Sequence, residues 1–270
     1  MKMVTRPLQL LAAFVSPLAM VARADFPLFG SPDRAWGGEV SLADGNPGAV
    51  NIASILNMVA YANGTHLAER LVSEKDGLNA SMYLYPRKAQ AGGWYHAAQP
   101  KAPNDSTEIQ LWSRNSTWPA IIVRILHAGG EKVYDYPRVK SQPHSGKPQW
   151  VDDLNNPIRT KVRGMQIQDC LQRLFGPPTR QDVGTVAKFH DKIQGFDKDT
   201  GNLVILETKP KCAFLKPNYA YGLLSVNSTH VYLGDPARDN VPWTWLTATV
   251  VQDFKWAWRY DPGALTKLHQ

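Results

Sequence analysis

The spacing of apolar positions divides this chain into a helical first half and a β-rich last third. Residues 50–62 carry Val50, Ile55, Leu56 and Val59 with alanines between them, and so are apolar nearly all round. A helix of that kind belongs at the centre of a core. Thr65 is placed to cap a second helix carrying Leu67, Leu71 and Val72. Residues 80–85 are short and β-prone and end at Pro86, with 92–98 as the expected partner strand. Trp118–Ala128 has Pro119 in its first turn, Ile121, Ile122, Ile125 and Leu126 on one side, and Gly129-Gly130 behind it, which punctuates a helix. Helical spacing returns over 166–175 and stops at Gly176-Pro177-Pro178, and Val186, Phe189 and Ile193 predict one more helix.

Residues 202–208, 219–226 and 230–233 read as strands, with Asn227-Ser228 as a tight turn between the last two. Residues 243–258 are β-branched and aromatic and close on Tyr260 and Pro262, which continues the β-rich character. Helices first and strands last predict an α+β fold with segregated layers. Residues 25–48 and 99–107 read as irregular. Residues 135–160 hold four prolines and little periodicity, and mark a long loop. The expected organisation is a single domain over 25–270, with a helical lobe at about 40–134, the loop, and a β-rich lobe at about 161–260.

Composition changes the picture first at the N-terminus. Lys2 and Arg6 precede an apolar run over 8–21, and Ala22-Arg23-Ala24 fits the small-x-small cleavage rule. That run is too short for a comfortable membrane span. Residues 1–24 are therefore expected to be a signal peptide, and the mature protein to be secreted to the extracellular space without stable membrane insertion. A hydrophobic share of 43%, nine Trp and ten Tyr exclude global disorder. The formal net charge of +7 first points to a nucleic-acid or membrane-surface partner. Lys2, Arg6 and Arg23 leave with the signal segment, which holds no acid, so +7 less three leaves +4. Only Arg159, Lys161 and Arg163 alternate as a set, and they read as a solvated strand face. No nucleic-acid partner is expected.

Secretion gives meaning to other residues. Asn63, Asn79, Asn104, Asn115 and Asn227 head Asn-x-Ser/Thr triplets without Pro at x, and are expected glycan acceptors in a eukaryotic host. Cys170 and Cys212 are the only cysteines. In an oxidising compartment one disulfide between them is expected, contributing about 3–4 kcal/mol in the chain-entropy description. A free catalytic thiol is the alternative.

Motifs for other chemistry are missing from the sequence. From Asp197 onward, a calcium loop would place Gly201 at its fifth position, Asn202 at its sixth and Thr208 at its twelfth, which breaks the ligand pattern. The seven histidines show neither His-x3-His nor His-Glu-x-x-His spacing. There is no Gly-x-Ser-x-Gly elbow and no phosphate-cradling glycine loop. No metal and no cofactor are expected. Trp243, Trp245, Trp256, Trp258 and Tyr260 alternate in pairs and read as sheet core, with base or sugar stacking as the alternative.

Three segments then follow one another in a telling order. The first is Gly48-Ala49-Val50-Asn51-Ile52-Ala53-Ser54-Ile55-Leu56. The second is Trp112-Ser113 with Trp118 through Gly129. The third is Asn218-Tyr219-Ala220-Tyr221-Gly222-Leu223-Leu224 with Val231-Tyr232-Leu233-Gly234-Asp235-Pro236. Together they resemble the protease core of the calpain family, a papain-like cysteine peptidase fold, over about residues 40–258. The first resembles the Gly-Asp-Cys-Trp-Phe-Leu-Ala-Ala-Leu start of that family's central helix. The second resembles its aromatic segment and Gly-bounded helix. The third resembles its His-Ala-Tyr strand, return strand and Asn-Pro-Trp turn.

The resemblance implies a thiolate nucleophile activated by a helix N-terminus and an imidazolium. It also implies a His base oriented by an Asn, and an upstream Gln at the oxyanion. On this chain the nucleophile position falls on Val50 (Asn51 if the alignment slips by one), the His on Tyr219, the Asn on Asp235 and the Gln near Asp44. Val50 cannot form a thiolate. The resemblance therefore implies a pseudoprotease that keeps the groove, has lost the chemistry, and binds a protein or peptide partner, as a secreted effector. The family's calcium dependence is not carried over, because none of its ligands match. Two other expectations stand beside this one. One is a live hydrolase using Cys212 as nucleophile with His190 or His230 as base, His230 being placed across the hairpin from Tyr219. The other is a secreted carbohydrate-binding or structural protein using the C-terminal aromatics.

Overall fold

The apolar spacing is realised in a computed structural model that describes residues 49–61, 67–74, 79–98, 116–131, 133–135, 138–141, 149–152, 161–162, 164–193, 202–236 and 243–260. The signal segment, the lead-in to residue 48, Thr65, Trp112-Ser113, Arg159, Arg163 and Asp197 through Gly201 lie outside these residues. The described chain begins with helix α1 (Val50–Tyr61), the short α2 (Leu67–Leu71), and strands β1 (Ser73–Glu74), β2 (Asn79–Leu84) and β3 (Gly93–Ala98). Helix α3 (Trp118–Ala128) follows, then four short strands, β4 (Tyr134–Asp135), β5 (Arg138–Ser141), β6 (Gln149–Asp152) and β7 (Lys161–Val162). Next come α4 (Ile167–Phe175), β8 (Thr179–Asp182), α5 (Val186–Ile193), β9 (Leu203–Thr208), β10 (Ala220–Val226) and β11 (His230–Gly234). The last elements are β12 (Trp243–Leu246), α6 (Thr247–Val250), a 3-10 turn at Val251–Asp253, and β13 (Phe254–Tyr260).

The class is α+β. Its main sheet has six strands in the order β12-β11-β10-β9-β13-β8, and every neighbouring pair is antiparallel. Register fixes its two faces, because successive side chains alternate. Gly222 lies opposite Ile205, and Ile205 opposite Trp258; Tyr221 and Ala257 both lie opposite Leu206. Gly222, Ile205, Trp258 and Tyr260 therefore share one face, and Tyr221, Leu206 and Ala257 the other. Both faces are covered, so Leu203, Val204, Ile205 and Leu206 are all buried.

Helix α1 covers the first face. Nine of its twelve residues are buried, as its all-round apolarity predicts. It approaches so closely that a Cβ on Gly222 would stand 2.5 Å from the Met58 sulfur. Beside it α4 packs on the same face, with Phe175 stacked on Tyr260 at 4.4 Å between ring centroids. On the reverse side α5 sets Phe189 against Phe254 at 5.9 Å. A second sheet, β1-β2-β3, lies against α3.

Four charges tie these layers together. Arg173 on α4 is wholly buried and donates to the carbonyls of Ala91 (3.1 Å) and Gly129 (3.0 Å), with its Nε 3.2 Å from Glu131. Arg87 pairs with Glu131 at 2.8 Å and also with Asp169. Two cations face two anions, which is the condition for keeping such charges out of water. A Cβ on Gly129 would meet the Leu84 side chain at 2.3 Å and the Arg173 guanidinium at 2.6 Å, so a larger residue there would displace both.

Three expectations are corrected. The β-rich stretch 243–258 is interrupted, because Val250, Val251 and Phe254 follow helical spacing and α6 with its 3-10 turn separates β12 from β13. Residues 135–160 are not wholly loop, since β5 pairs with β6. The layers are also less segregated than expected: the β1-β2-β3 sheet lies in the helical half, and α4 and α5 lie in the β-rich part.

Candidate functional site

Helix α1 is tied to the start of β10 through the backbone, while the Tyr219 side chain lies with Tyr221 on the sheet face opposite α1. Asn51 Nδ2 donates to the Met165 carbonyl at 2.8 Å, which ties α1 to the segment leading into α4. One turn on, the buried Ser54 hydroxyl donates to the Ala220 carbonyl at 2.7 Å. Ala220 follows Tyr219, so the helix start and the Tyr219 strand are joined by that bond. Val50 opens the helix and is itself buried.

Tyr219 is held from several sides. Its N–H donates to the Thr208 hydroxyl at 2.8 Å, and its carbonyl accepts from the Thr208 N–H at 2.9 Å. Its own hydroxyl donates to Asp235 Oδ1 at 2.7 Å across a separation of sixteen residues. Asp235 Oδ2 lies 3.2 Å from Lys216 Nζ, and that ammonium also sits 4.7 Å from the centroid of the Tyr219 ring. The Asp235 side chain is fully buried while Lys216 reaches solvent. A buried carboxylate with a phenol on one oxygen and an ammonium on the other has both oxygens engaged.

The loop over residues 209–218 supplies Lys216 and is built to hold it. Asp253, buried, accepts the N–H groups of Ala213 (2.9 Å), Phe214 (2.7 Å) and Leu215 (2.9 Å). Lys216 N–H donates to the Tyr221 hydroxyl at 3.2 Å, so the loop lies over the Tyr221 face of the sheet. Asn218 closes it in the left-handed region at φ 50°. Phe214 projects from this loop, 45% exposed, with its ring 6.1 Å from Trp245. Sequence reading missed Lys216, Thr208 and Asp253, whose roles arise only from tertiary contacts. Arg173 did leave a signal, since it sits beside Leu174 and Cys170 on an otherwise apolar helical face.

No residue of the Val50, Tyr219 and Asp235 set is a thiol or an imidazole. A phenol–carboxylate pair lacks the group that exchanges a proton between pH 5 and 8, which is the imidazole's role.

The alternative nucleophile fares worse. The expected Cys170–Cys212 disulfide is not formed, and both cysteines are free. They lie on opposite sides of the main sheet: Cys170 on the buried face of α4, Cys212 in the 209–218 loop. Burial pushes the Cys170 thiol far up, with the nearby Glu131 and Asp169 adding to it. Burial also pushes the Cys212 thiol up, as does the Asp253 carboxylate, and its Sγ donates to the Lys209 carbonyl at 3.3 Å. Both shifts oppose a thiolate.

His230 is not across from Tyr219. The tight turn puts Val226 opposite Val231 and joins Asn227 N–H to the His230 carbonyl, so His230 lies at the turn end of the hairpin. Tyr219 is at the other end, roughly 20 Å of strand away. His190 lies on α5 with its ring against Phe189.

The remaining predicted residues are dispersed. Trp258 and Tyr260 are buried, and Trp258 Nε1 donates to Glu207 Oε2 at 2.8 Å. Trp256 is half-buried beneath the Arg180 guanidinium, 4.3 Å from its centroid. Sheet packing thus accounts for the β13 aromatics. Asn79 and Asn227 are described; Asn63, Asn104, Asn115 and Asp44 lie outside the described residues. Among the described residues no cluster of His, Cys, Asp and Glu could hold a metal ion, and no helix is long and apolar enough to cross a membrane. No protein-family model matches the chain, and no curated protein matches it.

Proposed function

We propose that this chain is a papain-like, calpain-type pseudoprotease, secreted from the cell, that binds a protein or peptide partner without cleaving it. The observation that carries the reading is the 2.7 Å hydrogen bond between Tyr219 and Asp235. These two residues occupy the positions that the resemblance gives to the catalytic His and its orienting Asn, and they pair as those two would. The helix whose first residue takes the nucleophile position packs on the same strand. Val50 supplies no nucleophile there, and the Tyr–Asp–Lys cluster contains no imidazole. The exposed Phe214 beside Trp245, on the loop that carries Lys216, supports a peptide-binding margin.

The test has two arms. Purified protein is incubated with denatured casein under reducing conditions and with a thiol-trapping peptide probe. Neither cleavage nor labelling is expected, and thiol-dependent cleavage would overturn the reading. A peptide array is then probed with the protein and with Phe214→Ala and Lys216→Ala. Binding weakened by both substitutions is the expected result, and peptide binding indifferent to both counts against this margin as the contact surface.

A further inference from the structure

Asn227-Ser228-Thr229 forms the tip of the β10–β11 hairpin, and all three residues are exposed. The Asn227 side chain is held in one orientation. Its Oδ1 accepts the N–H of Thr229 at 2.9 Å, the N–H of His230 at 2.7 Å and the Thr229 hydroxyl at 3.2 Å. With the oxygen turned into the turn, Nδ2 faces outward. The Thr229 hydroxyl also lies 2.8 Å from His230 Nδ1, and its one proton is shared between that nitrogen and Oδ1. All of these bonds lie within four consecutive residues, so the nascent chain can make them before the sheet exists. Asn79 is different: it is half-buried inside β2, in register with Ala98.

The same tip adjoins a sheet edge that is unpaired among the described residues. Among the described residues β12 is an end strand of the main sheet and pairs with β11 alone. His230 is in register with Leu246, and Thr247 N–H donates to the Thr229 carbonyl at 2.9 Å. Leu246 is 53% exposed, and the strand reads Trp-Thr-Trp-Leu. Its four residues carry no charge and no proline, two of the usual protections of an edge against pairing with another chain.

We infer that Asn227 carries an N-linked glycan that stands over the edge of β12 and blocks strand pairing between copies of the chain. The inference rests on the secretory reading of the N-terminus. In the transfer, Nδ2 bonds to C1 of a lipid-linked oligosaccharide diphosphate. The C1–O bond breaks, its electron pair leaves with the diphosphate, and Nδ2 loses one proton to base. The glycan lies at the opposite end of β10 from Tyr219, so the candidate site stays open.

The test expresses the full chain, with its own N-terminal segment, in a eukaryotic secretory host. Protein from the medium is treated with an N-glycan amidase in heavy-oxygen water and mapped by mass spectrometry. Heavy-oxygen aspartate at position 227 is expected. Native deglycosylation leaves an aspartate there, whose carboxylate still accepts the Thr229 and His230 N–H groups and keeps the turn. That protein is expected to roughly double its weight-average mass in light scattering, as edge pairing requires. Leu246→Lys restores the glycosylated protein's mass. Secreted protein unmodified at Asn227 overturns the inference, as does deglycosylated protein of unchanged mass or association that survives Leu246→Lys. A chain retained inside the cell overturns the secretory reading and the inference with it, and is distinguished by its absence from the medium.

Discussion

Replacing Tyr219 by Phe removes one oxygen and leaves Asp235 Oδ1 without its 2.7 Å donor. The Asp235 side chain is fully buried, so water cannot replace the lost partner freely. A hydrogen bond to a charged group is worth about 1.5–3 kcal/mol. Lys216 still faces Oδ2 at 3.2 Å, which holds the cost below that of an orphaned buried charge. We expect Tyr219→Phe to destabilise the fold by about 2 kcal/mol. Asp235→Asn removes the charge that makes the bond strong, and the double variant measures the coupling. Urea unfolding of the four proteins of the cycle is expected to give a coupling of about 1–2 kcal/mol. A coupling below about 0.5 kcal/mol, the level at which independent sites add, would refute the claim that these residues act as a pair.

Gly222→Ala is expected to cost about 1–3 kcal/mol by overpacking, because the new methyl meets the buried Met58 sulfur at 2.5 Å; pairing it with Met58→Ala recovers part of the loss in urea melts. Arg173→Met leaves Glu131 buried with one cation fewer and is expected to cost about 3–5 kcal/mol in the same assay; a loss under about 1 kcal/mol, the range of surface pairs, contradicts the network. The Lys188 hydrogen bond and the Gly184 N–H hold the Asp182 carboxyl below its ordinary value. Its contribution is therefore present above the unfolded pKa and lost as pH falls through the folded one. A carbon-detected NMR titration is expected to place it below about 3.9, and Lys188→Met to raise it.

How much of this was legible in the sequence differs from element to element. The all-round apolarity of α1 announced a central helix, and the Asn227-Ser228 turn fixed the β10–β11 hairpin. β8 was not legible because Thr-Arg-Gln-Asp carries no apolar alternation, and only register with β13 makes it a strand. The aromatic run from Trp243 hid a helical turn, since β-branched composition outweighed the helical spacing of Val250, Val251 and Phe254. At the candidate site, motif order singled out Val50, Tyr219 and Asp235. Lys216 and Asp253 were invisible because they act through a loop whose shape depends on backbone N–H groups. The disulfide expectation failed for a topological reason, as the two cysteines lie on opposite sides of a sheet.

The central claim is that a papain-like site persists here without its reactive groups, and restoring them tests it most directly. The variant carries Val50→Cys, Tyr219→His and Asp235→Asn in a Cys212→Ser background, and alkylation of the new thiol is followed against pH. Val50 is buried, and burial alone pushes a thiol above its ordinary pKa of about 8.5. The account predicts the opposite, a thiol that ionises below about 8.5, held down by the α1 N-terminus and the new imidazolium. A thiol that titrates at or above that value, with or without Tyr219→His, would contradict it.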